Sequence, residues 1–179
     1  MFEVEKCCLA VVDVQGKLAG LMHEKEKLFD NIVILIKVAK KLDIPILWCQ
    51  QVPSALGQTV EPIAELLSDN KPIDKSDFSC YRNAEFKKKI NELGRSQVLL
   101  CGIETHVCIY QTGCDLEADG FDVGIICDGV SSRTVENKQI ALDRMAAEGI
   151  ALVGVEMILF ELLQTAKHPA FREIVKLIK

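Results

Sequence analysis

The chain has 179 residues, 49% of them hydrophobic, enough for one domain with a buried core and too few for two comfortable ones. Its formal charge of -5, from 26 acidic and 21 basic residues spread along the chain, supplies no basic patch for nucleic acid or an anionic membrane surface. No apolar run nears the roughly 20 residues that cross a bilayer, so a small-molecule or protein partner fits best.

The opening "MFEVEKCCLA" lacks the basic start and small-residue cleavage site of a secretion signal, and a cytoplasmic location is expected. From there short β-rich runs alternate with helical patterns. Strands are predicted over residues 8–14, 45–50, 73–75, 98–102, 123–127 and 151–153. Between them "KLFDNIVILIKVAKKL", "VEPIAELL", "AEFKKKINEL", "HVCIYQTGCDLEAD" and "VENKQIALDRMAAE" space their apolar residues three and four apart, the period of an amphipathic helix. Gly94, Gly120 and Gly149 each follow such a pattern, where a residue that tolerates left-handed backbone ends a helix. Near the end, "EMILFELLQTA" is apolar almost all the way round a helix. That points to a homo-oligomer, at least a dimer, with Leu159 and Leu163 as candidate interface positions, although packing beneath the last helix accounts for it equally well. Residues 169–179 read as a final helix. The alternation predicts parallel strands joined by right-handed helical crossovers, in a single three-layer α/β/α domain without internal repeats.

In open parallel sheets, ligands bind beyond the carboxyl ends of the strands. The first strand ends in "VVDVQG", which places Asp13 and Gln15 on that rim; the third ends at Lys75; the fourth runs through "VLLCGIETHVCIY" to Cys108. With Thr105 as a helix cap, Cys108 is the third residue of the helix, where free N–H groups and the helix dipole lower a thiol pKa. The Lys75 ammonium would stabilise the thiolate further, and Asp13 would take the thiol proton and return it to a leaving amine. Backbone N–H groups just ahead of and at Cys108 would hold an oxyanion. Each residue also has a plainer reading: Asp13 as a loop cap, Lys75 as a solvated lysine, Cys108 as core. Gln15, Phe78 and Trp48 are candidates to line a substrate pocket, with core packing equally apt for Trp48. His106 reads as exposed or locally hydrogen-bonded rather than as a base.

The eight cysteines include no C-x-x-C pair, and His23, His106 and His168 stand at no zinc-like interval from them, so neither a metal nor another cofactor is expected. Most of them lie in apolar runs and read as small buried hydrophobes in a reducing compartment. Cys127 and Arg133 have the five-residue gap by which phosphatases cradle a phosphate, but Asp128 beside the thiol would repel the dianion, making this a remote alternative. A non-catalytic binding protein on an enzyme-like fold is the other alternative.

Taken together, "LAVVDVQGKL", "DKSDFSCY", "VLLCGIETHVCIYQT" and "ICDGVSSRTVENKQIALDRM" resemble the isochorismatase-like cysteine hydrolase superfamily, in order and across nearly the whole chain. The resemblance implies a parallel six-stranded sheet and an Asp-Lys-Cys triad at Asp13, Lys75 and Cys108. It also implies a cis peptide between Ile103 and Glu104 that turns backbone N–H groups of Ile103, Glu104 and Cys108 toward a substrate oxygen. Metal-dependent nicotinamidases of that superfamily carry an Asp-x-His motif after the second strand, where this chain reads "LWCQQVPSALGQTV". True isochorismatases lack the nucleophilic cysteine. The segment "QQVPSALGQTV" is similar to the isochorismatase-domain-containing branch, for which triad chemistry implies hydrolysis of a carbon–nitrogen bond.

Overall fold

The computed structural model describes residues 1–178. In chain order the elements are β1 (Cys7–Val12), α1 (Gly16–Ala19), α2 (Lys25–Lys41), β2 (Ile46–Gln51), α3 (Pro53–Leu56), α4 (Ile63–Leu66), β3 (Ile73–Lys75), α5 (Ala84–Leu93), β4 (Gln97–Ile103), α6 (Tyr110–Ala118), β5 (Asp122–Ser131), α7 (Val135–Ala147), β6 (Ala151–Val153), α8 (Val155–Leu163) and α9 (Phe171–Val175). The strands form one six-stranded sheet in the order β3-β2-β1-β4-β5-β6, and every paired neighbour is parallel.

All six positions of β1 are buried, because both faces of the sheet are covered. Alternate side chains serve opposite layers. Cys7, Leu9 and Val11 pack with Leu28, Ile32 and Ile36 of α2 and with Ile158 and Leu162 of α8. Cys8, Ala10 and Val12 pack with Phe86 and Ile90 of α5, Leu116 of α6, and Leu142 and Met145 of α7. Ile32, Ile36, Phe86 and Ile90 are sealed completely, each contributing about 1.5–3 kcal/mol by the usual transfer scale. Side-chain caps fix two helix starts: Asn83 Oδ1 accepts from Phe86 N at 3.0 Å, and Thr134 Oγ1 accepts from Asn137 N at 3.2 Å.

The departures from the predicted elements have local causes. The strand predicted over residues 123–127 continues past Asp128–Gly129 by a register shift, so that Val130 and Ser131 pair with Gly102 and Ile103. The helix predicted over 106–119 divides into a π-helical turn, Thr105–Ile109, and then α6. The turns α1 and α3 are only four residues long, too short for a periodic signal. The closing helix is also shorter than predicted, α9 passing into a 3₁₀ turn at Lys176–Ile178, and Lys179 lies outside the described residues. Leu159 and Leu163, the candidate interface positions, are core residues at 1% and 2% exposure. Met157 and Phe160 of the same helix face outward instead. Among the described residues no helix is long and apolar enough to cross a membrane.

Candidate active site

Asp13 directly follows β1, and its φ of 54° is a left-handed conformation that an aspartate tolerates better than bulkier residues do. Lys75 closes β3 at the sheet edge, paired in register with Gln51 of β2. Between them runs a buried ion pair: Lys75 Nζ donates to Asp13 Oδ2 at 2.7 Å. The same ammonium donates to Gln51 Oε1 at 2.6 Å and reaches the carbonyls of Asp77 and Phe78, each at 3.2 Å. Cys108 arrives from the far side of the sheet centre. Gly102 ends the core of β4 with a φ of 121°, the Ile103–Glu104 peptide is cis, and the π-helical turn then carries the thiol against the Asp13 carboxyl group. Asp13, Lys75 and Cys108 are 3%, 3% and 7% exposed, so their chemistry is shielded from bulk water.

Burial is the largest single influence on the protonation of each, and for Lys75 it is overridden by its neighbours. It raises the Asp13 pKa above the ordinary carboxylate range, outweighing the opposing pull of Lys75. Burial works against the Lys75 cation, but negative charge at Cys80, Asp13 and Cys108 outweighs it, and the lysine pKa lies above its usual value. Burial also pushes the Cys108 thiol well up, with the Asp13 charge adding to the effect and Lys75 only partly offsetting it. The lowered thiol pKa expected from the helix start is therefore corrected. Thr105 is not a cap: Glu104 precedes the turn, and Ile109 N bonds back to the Glu104 carbonyl at 3.2 Å in the wide π-type loop. A tight first turn aimed at the sulfur is replaced by a dry setting. Asp13 Oδ1 accepts no hydrogen bond among the described residues, which leaves it as an acceptor for the thiol proton.

The remaining candidates take varied positions. Gln15 is fully buried; its Nε2 donates to the carbonyls of Gly57 at 2.6 Å and Gln51 at 3.2 Å, while its Oε1 accepts from Gln51 N at 2.6 Å. Trp48 packs in the core layer beneath α2, with Nε1 donating to Thr59 Oγ1 at 2.8 Å. Phe78 lends its carbonyl to Lys75 and keeps its ring exposed beside the site. Ile103 is wholly buried, and Glu104 turns its carboxylate to Arg133, whose Nε donates to it at 3.0 Å. His106 Nδ1 pairs with Ser132 Oγ at 3.0 Å. Cys127 sits inside β5 with its thiol directed at the Ile125 carbonyl, so it and the Glu104-bound Arg133 each have a partner other than a shared anion.

Two neighbours of the site escaped the sequence reading. Gln51 holds Lys75, and the signal for it was the polar pair "QQ" at the carboxyl end of an otherwise apolar strand, the same rule that selects Asp13. Cys80, fully buried in the turn Cys80–Arg82, lies near enough to influence both Lys75 and Cys108. It lies in the polar stretch "DKSDFSCY", whose spacing assigns it no role. Among the described residues no cluster of three or more His, Cys, Asp or Glu side chains is placed to hold a metal. A cavity of about 270 Å³ near Phe2, Gln97, Asp122 and Ala151 lies at the amino ends of the strands, away from this group.

Comparison with known proteins agrees with this architecture. The family model described as "Isochorismatase domain" matches residues 7–157. The chain is 39% identical over 175 residues to "Secreted isochorismatase effector Isc1" of Phytophthora sojae (strain P6497), covering 96% of this chain and 83% of that protein. A solved structure titled "Structure of MAR1 Ribonuclease from Caenorhabditis elegans" superposes with a TM-score of 0.92 at 33% identity, over 99% of this chain and 91% of the other. The fold is also that of the Escherichia coli YcaC gene product, titled an octameric hydrolase of unknown specificity, with a TM-score of 0.89 at 21% identity over 98% and 94% of the two chains.

Proposed function

The chain belongs to the isochorismatase-like hydrolase family, and we propose that it is a cysteine hydrolase that cleaves a carbon–nitrogen bond of a small amide through Asp13, Lys75 and Cys108. The observation that carries this reading is the buried Lys75–Asp13 pair at 2.7 Å with the Cys108 thiol against the same carboxylate. As the thiol attacks the amide carbonyl, its proton passes to Asp13 and the sulfur forms a bond to carbon. Lys75 offsets the negative charge that stays in the site, and backbone N–H groups around Ile103, Glu104 and Cys108 hold the oxyanion. Asp13 then returns the proton to the departing amine, leaving a thioester. Water, deprotonated by Asp13, cleaves that thioester and restores the thiol. No step calls for a metal or organic cofactor.

The ribonuclease named in the Caenorhabditis elegans structure's title supplies a second substrate class to test. The acidic balance of the chain argues against it, as does the nearby arginine, Arg133, already paired with Glu104. We further propose that the protein works in the cytoplasm, on the ground that its eight cysteines are free thiols, and that it assembles with copies of itself through the outward side of α8. The functional reading is tested by a panel of small amides, carbamoyl compounds, esters and single-stranded RNA, with Cys108→Ala as the blank. Turnover of an amide, lost in the blank, together with a covalent acyl adduct on Cys108 by mass spectrometry, is the expected result. Turnover that survives in Cys108→Ala would exclude the cysteine mechanism.

A further inference from the structure

We infer that Gln51 is a positioning residue for this chemistry: its amide oxygen fixes the Lys75 ammonium beside Asp13 and Cys108 without bringing a second negative charge to the site. The inference rests on the triad reading above and adds a fourth member to it, one that acts through the lysine.

The geometry is specific. An ammonium has three N–H donors, and the four oxygens around Lys75 Nζ fall into two classes. Asp13 Oδ2 and Gln51 Oε1 lie at 2.7 and 2.6 Å, whereas the Asp77 and Phe78 carbonyls both lie at 3.2 Å. Two short contacts, from a side chain just beyond β1 and one at the end of β2, fix the position of the nitrogen. The Gln51 amide can present only its oxygen, because its Nε2 donates to the Ser76 carbonyl at 2.8 Å and an N–H group facing the ammonium would be repelled.

Gln51 is itself held. Its backbone N–H donates to Gln15 Oε1 at 2.6 Å, and its backbone carbonyl accepts from Gln15 Nε2 at 3.2 Å. The buried Gln15 amide thus does for Gln51 what a neighbouring strand's peptide would do, and a further bond from Nε2 to the Gly57 carbonyl at 2.6 Å ties it to the loop after α3. A chain of contacts therefore runs from the Gly57 loop through Gln15 and Gln51 to Lys75, Asp13 and the thiol. Charge explains why the last link to the lysine is an amide. With Asp13 ionised and Lys75 protonated, the resting site is neutral, and thiol ionisation adds one negative charge. A glutamate at position 51 would add another within reach of the same ammonium and oppose formation of the thiolate. A methionine would fill the space but leave an ammonium proton without its acceptor.

The test uses the full chain and a readout that needs no substrate. The rate at which iodoacetamide labels Cys108 is followed by mass spectrometry of the peptide containing it, from about pH 6 to about pH 10, where the labelling rate of a thiol with a raised pKa climbs with pH. Gln51→Met and Gln51→Ala are expected to label about tenfold more slowly than the unaltered protein at a given pH, corresponding to about one unit of upward displacement of the curve. Gln51→Glu, which keeps size and acceptor, is expected to be displaced further. Lys75→Met provides the reference displacement. If Lys75→Met moves the curve while Gln51→Met superimposes on the unaltered protein, the role given to Gln51 is wrong and the triad stands. If Lys75→Met also leaves the curve in place, the triad reading itself fails. Should Gln51→Met not fold, Gln51→Glu decides alone: superposition on the unaltered curve overturns the requirement for a neutral amide, and an upward displacement supports it.

Discussion

Lys75 Nζ and Asp13 Oδ2 meet at 2.7 Å although 62 residues separate them in the chain, and their side chains are 0% and 4% exposed. Two charges in so dry a place depend on each other. Replacing Lys75 with Met leaves the Asp13 carboxylate buried without its counter-charge, and we expect a loss of about 3–5 kcal/mol near neutral pH. The pH dependence has a definite sign. Burial already raises the folded Asp13 pKa, and removing Lys75 raises it further. A carboxyl group with a raised folded pKa favours the folded state below its unfolded pKa and loses that contribution as pH climbs through the folded value. The deficit of Lys75→Met should therefore shrink on acidification from neutral pH toward about pH 4. Urea unfolding at several pH values measures it, and a deficit independent of pH would show that Asp13 is not the group left stranded.

Asp13 and Cys108 should separate reactivity from turnover. Because burial and then the Asp13 charge raise the thiol pKa, Asp13→Asn is expected to speed alkylation of Cys108 near neutral pH. On the proposed mechanism the same variant loses its proton acceptor, so hydrolysis should fall by about a hundredfold or more. Peptide-level labelling and amide turnover, measured side by side, give the answer. Slower labelling and slower turnover together would mean that Asp13 assists the thiol chiefly as a base even in the resting protein.

Gly102 should tolerate no side chain. Its φ is 121°, and a Cβ built there collides with the backbone carbonyl of Val12 on the neighbouring strand, which cannot yield without parting β1 from β4. Gly102→Ala is expected to destabilise the fold by about 4 kcal/mol or more, at the extreme of point substitutions. Gly120, with φ 91° and open space around it, provides the contrast, with a cost of about 1 kcal/mol for Gly120→Ala from conformation alone. Equal losses at the two positions in thermal or urea unfolding would remove the steric argument.

The outward face of α8 should control assembly. Met157 and Phe160 are 59% and 41% exposed on a helix whose other apolar residues are buried. Phe160→Glu is expected to lower the mass seen by light scattering at micromolar concentration while leaving the melting temperature of the subunit nearly unchanged. Leu159→Glu should instead unfold the chain. A monomeric mass for the unaltered protein would dispose of the assembly proposal at once.

Most of the fold was legible because buried parallel strands are continuous apolar runs and the helices between them keep their period. Residues 73–75 and 151–153 matched their predicted limits, and the Gly94, Gly120 and Gly149 helix ends all adopt positive φ. The placing of Asp13, Lys75 and Cys108 on one rim followed from strand direction alone. What stayed hidden depended on pairing. The passage of β5 across Asp128–Gly129 requires the partners Gly102 and Ile103, and no local propensity announces it. The dryness of the Cys108 setting likewise depends on layers drawn from α5, α6 and α7, so spacing from a helix start pointed to the wrong pKa direction. Gln51 reads as one more polar residue at a strand end until Lys75 is seen to reach it.

The strand order has a consequence for how the protein is made. Asp13, Gln51 and Lys75 all belong to β1, β2, β3 and the residues that follow them, a contiguous amino-terminal half of the sheet, whereas Cys108 follows β4 on the other side of β1. During synthesis that half emerges first, at about 5–20 residues per second, so the ammonium and its two oxygen partners can be assembled before β4 is added. Cys108 is the last part of the group to leave the ribosome, and it joins the others only when β4 docks on β1. A nascent chain halted after α5 therefore carries Asp13, Gln51 and Lys75 without the Cys108 thiol.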